Sequence, residues 1–176
     1  MKKVLIIGAI SGVMTVLPLA EAFATTSCGE ITDTLSVTVK SVCTFTRTAG
    51  SGTYTATKNV GQMETSFTST FQVVCNNAAG FTTTASFTSL SGPGTAIDYS
   101  NTTVPTATNG YWTAIKGSTS TTPSTSNMIA SGGTLMSSNG PTTGTSQQVS
   151  YKIGSRSNQA AGTYTGTATY TTLQNS

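Results

Sequence analysis

Histidine is absent from the 176 residues, and acidic side chains number only five. The first absence removes the commonest general base and the commonest imidazole metal ligand. Beyond Glu21 the acids are Glu30, Asp33, Glu64 and Asp98, dispersed along the chain. No motif draws two of them together as paired-carboxylate hydrolysis requires. Also missing are a glycine-rich phosphate loop opening a helix, a Gly-x-Ser-x-Gly elbow and cysteines at metal-ligand spacing. These gaps lead to the expectation that the protein is not an enzyme and carries neither cofactor nor metal.

Charge is scarce too, at 7% of the chain, and only one long apolar run exists, Val4 to Leu19. That run follows Met1-Lys2-Lys3 and precedes Ala22-Phe23-Ala24, the pattern of a signal peptide over 1–24. Gly8, Ser11, Gly12 and Pro18 make the same run a poor spanning helix, so no membrane span is expected after cleavage. Removing Lys2, Lys3 and Glu21 from 8 basic and 5 acidic residues leaves 6 and 4, a net charge of +2. So small and scattered a surplus argues against a nucleic-acid partner. Leu173 to Ser176 offers neither an apolar tail nor a basic stop, so attachment to the cell is expected to be non-covalent, or the product is released. Residues 25–176 are expected to form a single secreted domain, a size at which about two thirds of the unfolded surface is buried.

What the chain has in quantity is serine and threonine, about a third of its residues. Aromatic and β-branched residues recur among them in short alternating blocks, separated by Gly, Asn, Ser and Pro, which predicts an all-β domain. No stretch after the signal peptide shows the 3.6-residue period of a long amphipathic helix. Leu35, Val37, Val39, Cys43 and Phe45 share one parity, and so do Phe67, Phe71, Val73 and Cys75. Side chains alternate between the faces of a strand, so Cys43 and Cys75 both point inward. In an oxidising compartment they form a candidate disulfide worth roughly 3 to 4 kcal/mol by loop entropy, the alternative being two buried free thiols. Cys28 is the odd cysteine, left as a free thiol, an intermolecular link or a competitor for either partner.

Further strands are predicted at Tyr54 to Val60, Phe81 to Leu90, Tyr111 to Lys116, Gln147 to Ile153 and Thr163 to Thr171, with one more near Thr134 to Met136. The total of about seven to eight fits an antiparallel β-sandwich. In the last block threonine occupies every second position, opposite Tyr164, Gly166, Ala168 and Tyr170, so one face is hydroxyl and the other packs. Ser91 to Asn109 and the low-complexity stretch Gly117 to Asn127 are expected as loops, the latter a candidate for O-linked sugar. Lys40, Lys58 and Lys152 are candidates for an isopeptide bond with asparagine. Tyr111 and Trp112 fall on opposite parities, so one faces in and the other out. Trp112 is either a core filler or, with Tyr111, a binding aromatic.

The ending Ala161-Gly162-Thr163-Tyr164-Thr165-Gly166-Thr167-Ala168-Thr169-Tyr170 resembles the last strand of WxL-domain proteins, and is similar to the closing strand of spore-coat-U and pilin-like subunits. Val42-Cys43-Thr44 with Phe71-Gln72-Val73-Val74-Cys75-Asn76 resembles the early disulfide of the pilin-like group. The first resemblance implies an Ig-like sandwich that binds the cell wall non-covalently, with peptidoglycan or another envelope glycan as partner. Trp112-Thr113-Ala114 and Tyr170-Thr171-Thr172 stand where that family carries Trp-x-Leu. The second implies a structural subunit of a surface fibre or pilus. Such subunits self-associate when an amino-terminal segment, here Thr32 to Val39, completes a neighbour's sheet. Both lead to a non-catalytic secreted cell-surface or wall-associated protein, with other surface proteins or an adhesin-type ligand as further partners.

Overall fold

The computed structural model describes residues 33–54, 59–60, 64–118 and 120–176. The expected signal peptide, Cys28, Lys58 and the centre of the strand read at Tyr54 to Val60 lie outside the described residues. Two compact units divide the chain, Met1–Thr38 and Val39–Ser176. In the first, residues 33–38 have no regular secondary structure, and Leu35 and Val37 are 93% and 88% exposed.

The second unit is built from eight strands with no helix among the described residues: β1 (Cys43–Ala49), β2 (Glu64–Cys75), β3 (Phe81–Phe87), β4 (Asp98–Tyr99), β5 (Tyr111–Lys116), β6 (Thr134–Ser138), β7 (Thr142–Ile153) and β8 (Ala168–Gln174). They form a five-stranded sheet in the order β1-β2-β7-β5-β4 and a three-stranded sheet in the order β6-β3-β8. The expected all-β sandwich is therefore present. Every ladder is antiparallel except the short β4–β5 pair.

Alternation explains where the core lies. On β2, Phe71, Val73 and Cys75 are buried, with Ser69 on the same parity, while Val74 on the other parity is exposed. On β3, Phe81, Thr83, Ala85 and Phe87 are buried, and Ser86 between them is exposed. Trp112 and Ala114 of β5, Leu135 and Met136 of β6, and Val149 and Tyr151 of β7 complete one hydrophobic cluster between the sheets. Burying each large side chain contributes about 1.5–3 kcal/mol. The cluster is rich in rings: Phe87 stacks on Tyr99 at 4.3 Å between centroids, Tyr99 meets the Trp112 edge at 4.8 Å, and Phe71 tilts against Tyr170 at 4.4 Å.

Two expectations need correction. The block from Leu35 to Phe45 is not one strand, because pairing starts at Cys43, and Val39 and Val42 remain 78% and 56% exposed. The last strand begins at Ala168 instead of Thr163, and Thr165 makes only an isolated bridge to Ser91. Gly162 sits at φ +142°, and a side chain on Gly166 would come within 2.8 Å of Leu90 Cδ2, so this segment bends against the Leu90 turn before the ladder resumes. The loop expected at Gly117 to Asn127 is exposed at its centre but ends against β5. There Lys116 N donates to Asn127 O and Ile129 N to Ala114 O, burying Met128, Ile129 and the outer face of Ile115.

Candidate functional site

The last strand offers one ladder and keeps one edge open. β8 pairs residue by residue with β3, from Phe81 opposite Gln174 to Phe87 opposite Ala168. Beyond the strand, Thr165 exchanges backbone bonds with Ser91, and Asn175 N donates to Gly80 O, again on the β3 side. Among the described residues no strand pairs with the opposite edge of β8. A free edge is a row of N–H and C=O groups ready to take another chain.

The free edge faces β1, itself the edge of the larger sheet. Ser41 Oγ, just before β1, donates to Gln174 Oε1 at 2.8 Å. At the other end, Arg47 of β1 and Ala168 of β8 line one cavity, so the two strands run antiparallel along this side of the sandwich. The two sheets are bridged near Gln174 and part toward Ala168. The parting leaves an open cavity of about 1080 Å³ whose walls include Tyr54, Phe67, Leu90, Trp112, Ile153 and Tyr164. Trp112 Nε1 and Ser155 Oγ, on two residues of this lining, are buried with no hydrogen-bond partner among the described residues.

Deeper in, hydroxyls satisfy one another. Tyr151 and Tyr170 share a hydrogen bond at 2.9 Å, linking β7 to β8, and Tyr54 reaches Ser69 Oγ at 2.6 Å. Burial pushes the Tyr151 and Tyr170 phenols up and takes Tyr99 to about 12. All three are held neutral, as hydrogen-bonding groups and not as bases. Lys152, buried on β7, is shifted down by desolvation.

Of the residues singled out in the sequence, Cys43 and Cys75 are joined by a disulfide and stand directly opposite in the β1–β2 ladder, with Cα atoms 4.1 Å apart. Trp112 is 4% exposed and packs among Phe87, Tyr99 and Tyr151, so it fills the core. Of its two readings, core filler and binding aromatic, the burial supports the first. Tyr111 is half-buried at the start of β5, where its N–H donates to Asn109 Oδ1 at 3.3 Å. Lys40 is exposed, with its carbonyl accepting from Asn76 Nδ2 at 3.0 Å. Sequence reasoning missed Arg47, Tyr54 and Tyr151 as residues lining the cavity, and Tyr170 as the hydroxyl partner of Tyr151. Parity placed Tyr170 inward and nothing local marked what it would meet. Comparison with protein-family models, with curated proteins and with solved structures finds no match.

Proposed function

We propose that the chain is a non-catalytic surface protein acting as a structural subunit of a fibre, in which the amino-terminal arm of one copy adds a strand to the free β8 edge of the next. The observation that carries this reading is the pairing of opposites within one sequence: an open β8 edge with a cavity at its Ala168 end, and an exposed arm whose Leu35, Val37 and Val39 alternate as a strand's buried face does. Strand addition joins main-chain hydrogen bonds, which supply affinity, to side-chain pockets at every second residue, which supply specificity. The partner is a second copy because β1 starts at the Gln174 end of β8 and runs antiparallel to it. An arm filling its own groove would have to reverse direction just before β1, and Leu35 to Val42 contains no Gly, Pro, Asn or Asp to make the turn. Wall association through Trp112 loses its carrier with that ring in the core, and no other exposed aromatic cluster replaces it among the described residues.

The test is assembly of the purified protein. Wild type is expected to give a heat-labile ladder of oligomers, and Leu35→Asp with Val37→Asp is expected to give monomers of unchanged circular dichroism, since both positions are exposed coil. A monomeric wild type at high concentration, or a double variant that still assembles, refutes the reading.

A further inference from the structure

Charge on the two surfaces named above is confined to one residue each. Among the described residues lining the cavity, Arg47 is the one charged side chain. Its guanidinium lies 5.4 Å from the Phe71 ring centroid and the residue is exposed. The ion pair among the described residues uses the other arginine, Arg156 with Asp98 at 3.6 Å, so no carboxylate faces Arg47 there. Along the arm from Thr32 to Val39, Asp33 is the one charged residue. It falls on the parity of Leu35, Val37 and Val39, and an extended chain puts it about 6–7 Å beyond Leu35 on the same face. An acid on the apolar face of a strand needs a cation where that face docks.

We propose that Asp33 of one copy pairs with Arg47 of the next, and that this ion pair fixes the register of the inserted strand. The proposal rests on the strand-addition reading. Arg47 and Ala168 line the same cavity, so the pair places the Asp33 end of the arm at the Ala168 end of β8. Charge patterns of this kind select register and exclude wrong partners.

The experiment measures self-association of the full protein by sedimentation equilibrium at low and high salt. Asp33→Asn is expected to weaken association about tenfold and to flatten its salt dependence, while Asp33→Glu retains both. Arg47 also covers Phe71, so the arm-side variants carry the test independently of any folding defect at Arg47. The reversed pair, Asp33→Arg with Arg47→Asp in one chain, is expected to recover most of the loss seen with Asp33→Arg alone. Equal association of wild type and Asp33→Asn, or no recovery in a reversed pair that folds, overturns the ion pair and leaves strand addition standing. A wild type that does not associate overturns both.

Discussion

Removing the Cys43–Cys75 bond has a magnitude that follows from its place in the chain. The sequence separation is 32, and the loop-entropy relation gives a loss of about 12 cal/mol/K on cross-linking, or about 3.7 kcal/mol at 25 °C. The bond ties the edge strand β1 to β2 at the first rung of their ladder, so reduction also frees β1 to fray from the Cys43 end. Cys75 is 2% exposed and its thiol would remain in the core as a small apolar group. Reduction therefore removes the cross-link while leaving the packing nearly intact. With a urea slope of about 2 kcal/mol/M, the midpoint should fall by about 2 M on reduction. The slope itself should rise, because the unfolded chain is released from a closed loop and exposes more surface. Urea unfolding of the oxidised and reduced protein, followed by circular dichroism, reads both quantities. An unchanged midpoint would refute the assignment of this stability to the cross-link. A lower midpoint with an unchanged slope would refute its action through the unfolded chain.

Tyr151→Phe should cost about 1–2 kcal/mol by removing the hydroxyl partner of Tyr170, Tyr170→Phe should cost less because Tyr151 keeps Ser69, and the double variant should cost less than the two added, measured as a double-mutant cycle in urea. Trp112→Ala should destabilise by about 3–5 kcal/mol, and Trp112 fluorescence in the native protein should be blue-shifted and unaffected by envelope glycans; a red emission quenched by glycan would return Trp112 to the surface. Buried Tyr151 and the half-buried Tyr99 and Tyr170 have raised values, Tyr99 at about 12, whereas an unfolded tyrosine titrates near 10. The unfolded chain then loses these protons first, so their contribution to stability is complete below about pH 10 and is lost as pH rises toward the folded values. Thermal melts from pH 8 to 12 should fall only above about 10, and a flat profile would contradict the buried hydroxyls.

The strands with one wet and one dry face were legible because period-two alternation is itself the physical cause of their burial. β5 was read at Tyr111 to Lys116 as it stands, and β3 differs only in ending at Phe87, where the chain turns toward the Leu90 bridge. Alternation records that a segment is amphipathic and not whether a neighbour exists for it. That is why Leu35 to Val39 reads as strand and stands exposed. The first half of β7, Thr142 to Ser146, carries no apolar signal, being recruited by its ladder to Gln72, Val73 and Cys75. Likewise β4 is two residues long and exists only through its parallel pairing with Tyr111 and Trp112. The groove could not be read at all, since it arises where two sheets part, and its walls come from segments as distant as Tyr54 and Tyr164.

Amide hydrogen exchange over Thr163 to Leu173, compared between monomeric and assembled protein, tests the strand-addition account most directly. β8 amides bonded to β3 should be slow in both states, whereas those on the free edge should exchange rapidly in the monomer and become protected on assembly, together with the arm from Asp33 to Val39. Protection confined to some other surface, with the free edge of β8 still exchanging rapidly in the assembled protein, would contradict it.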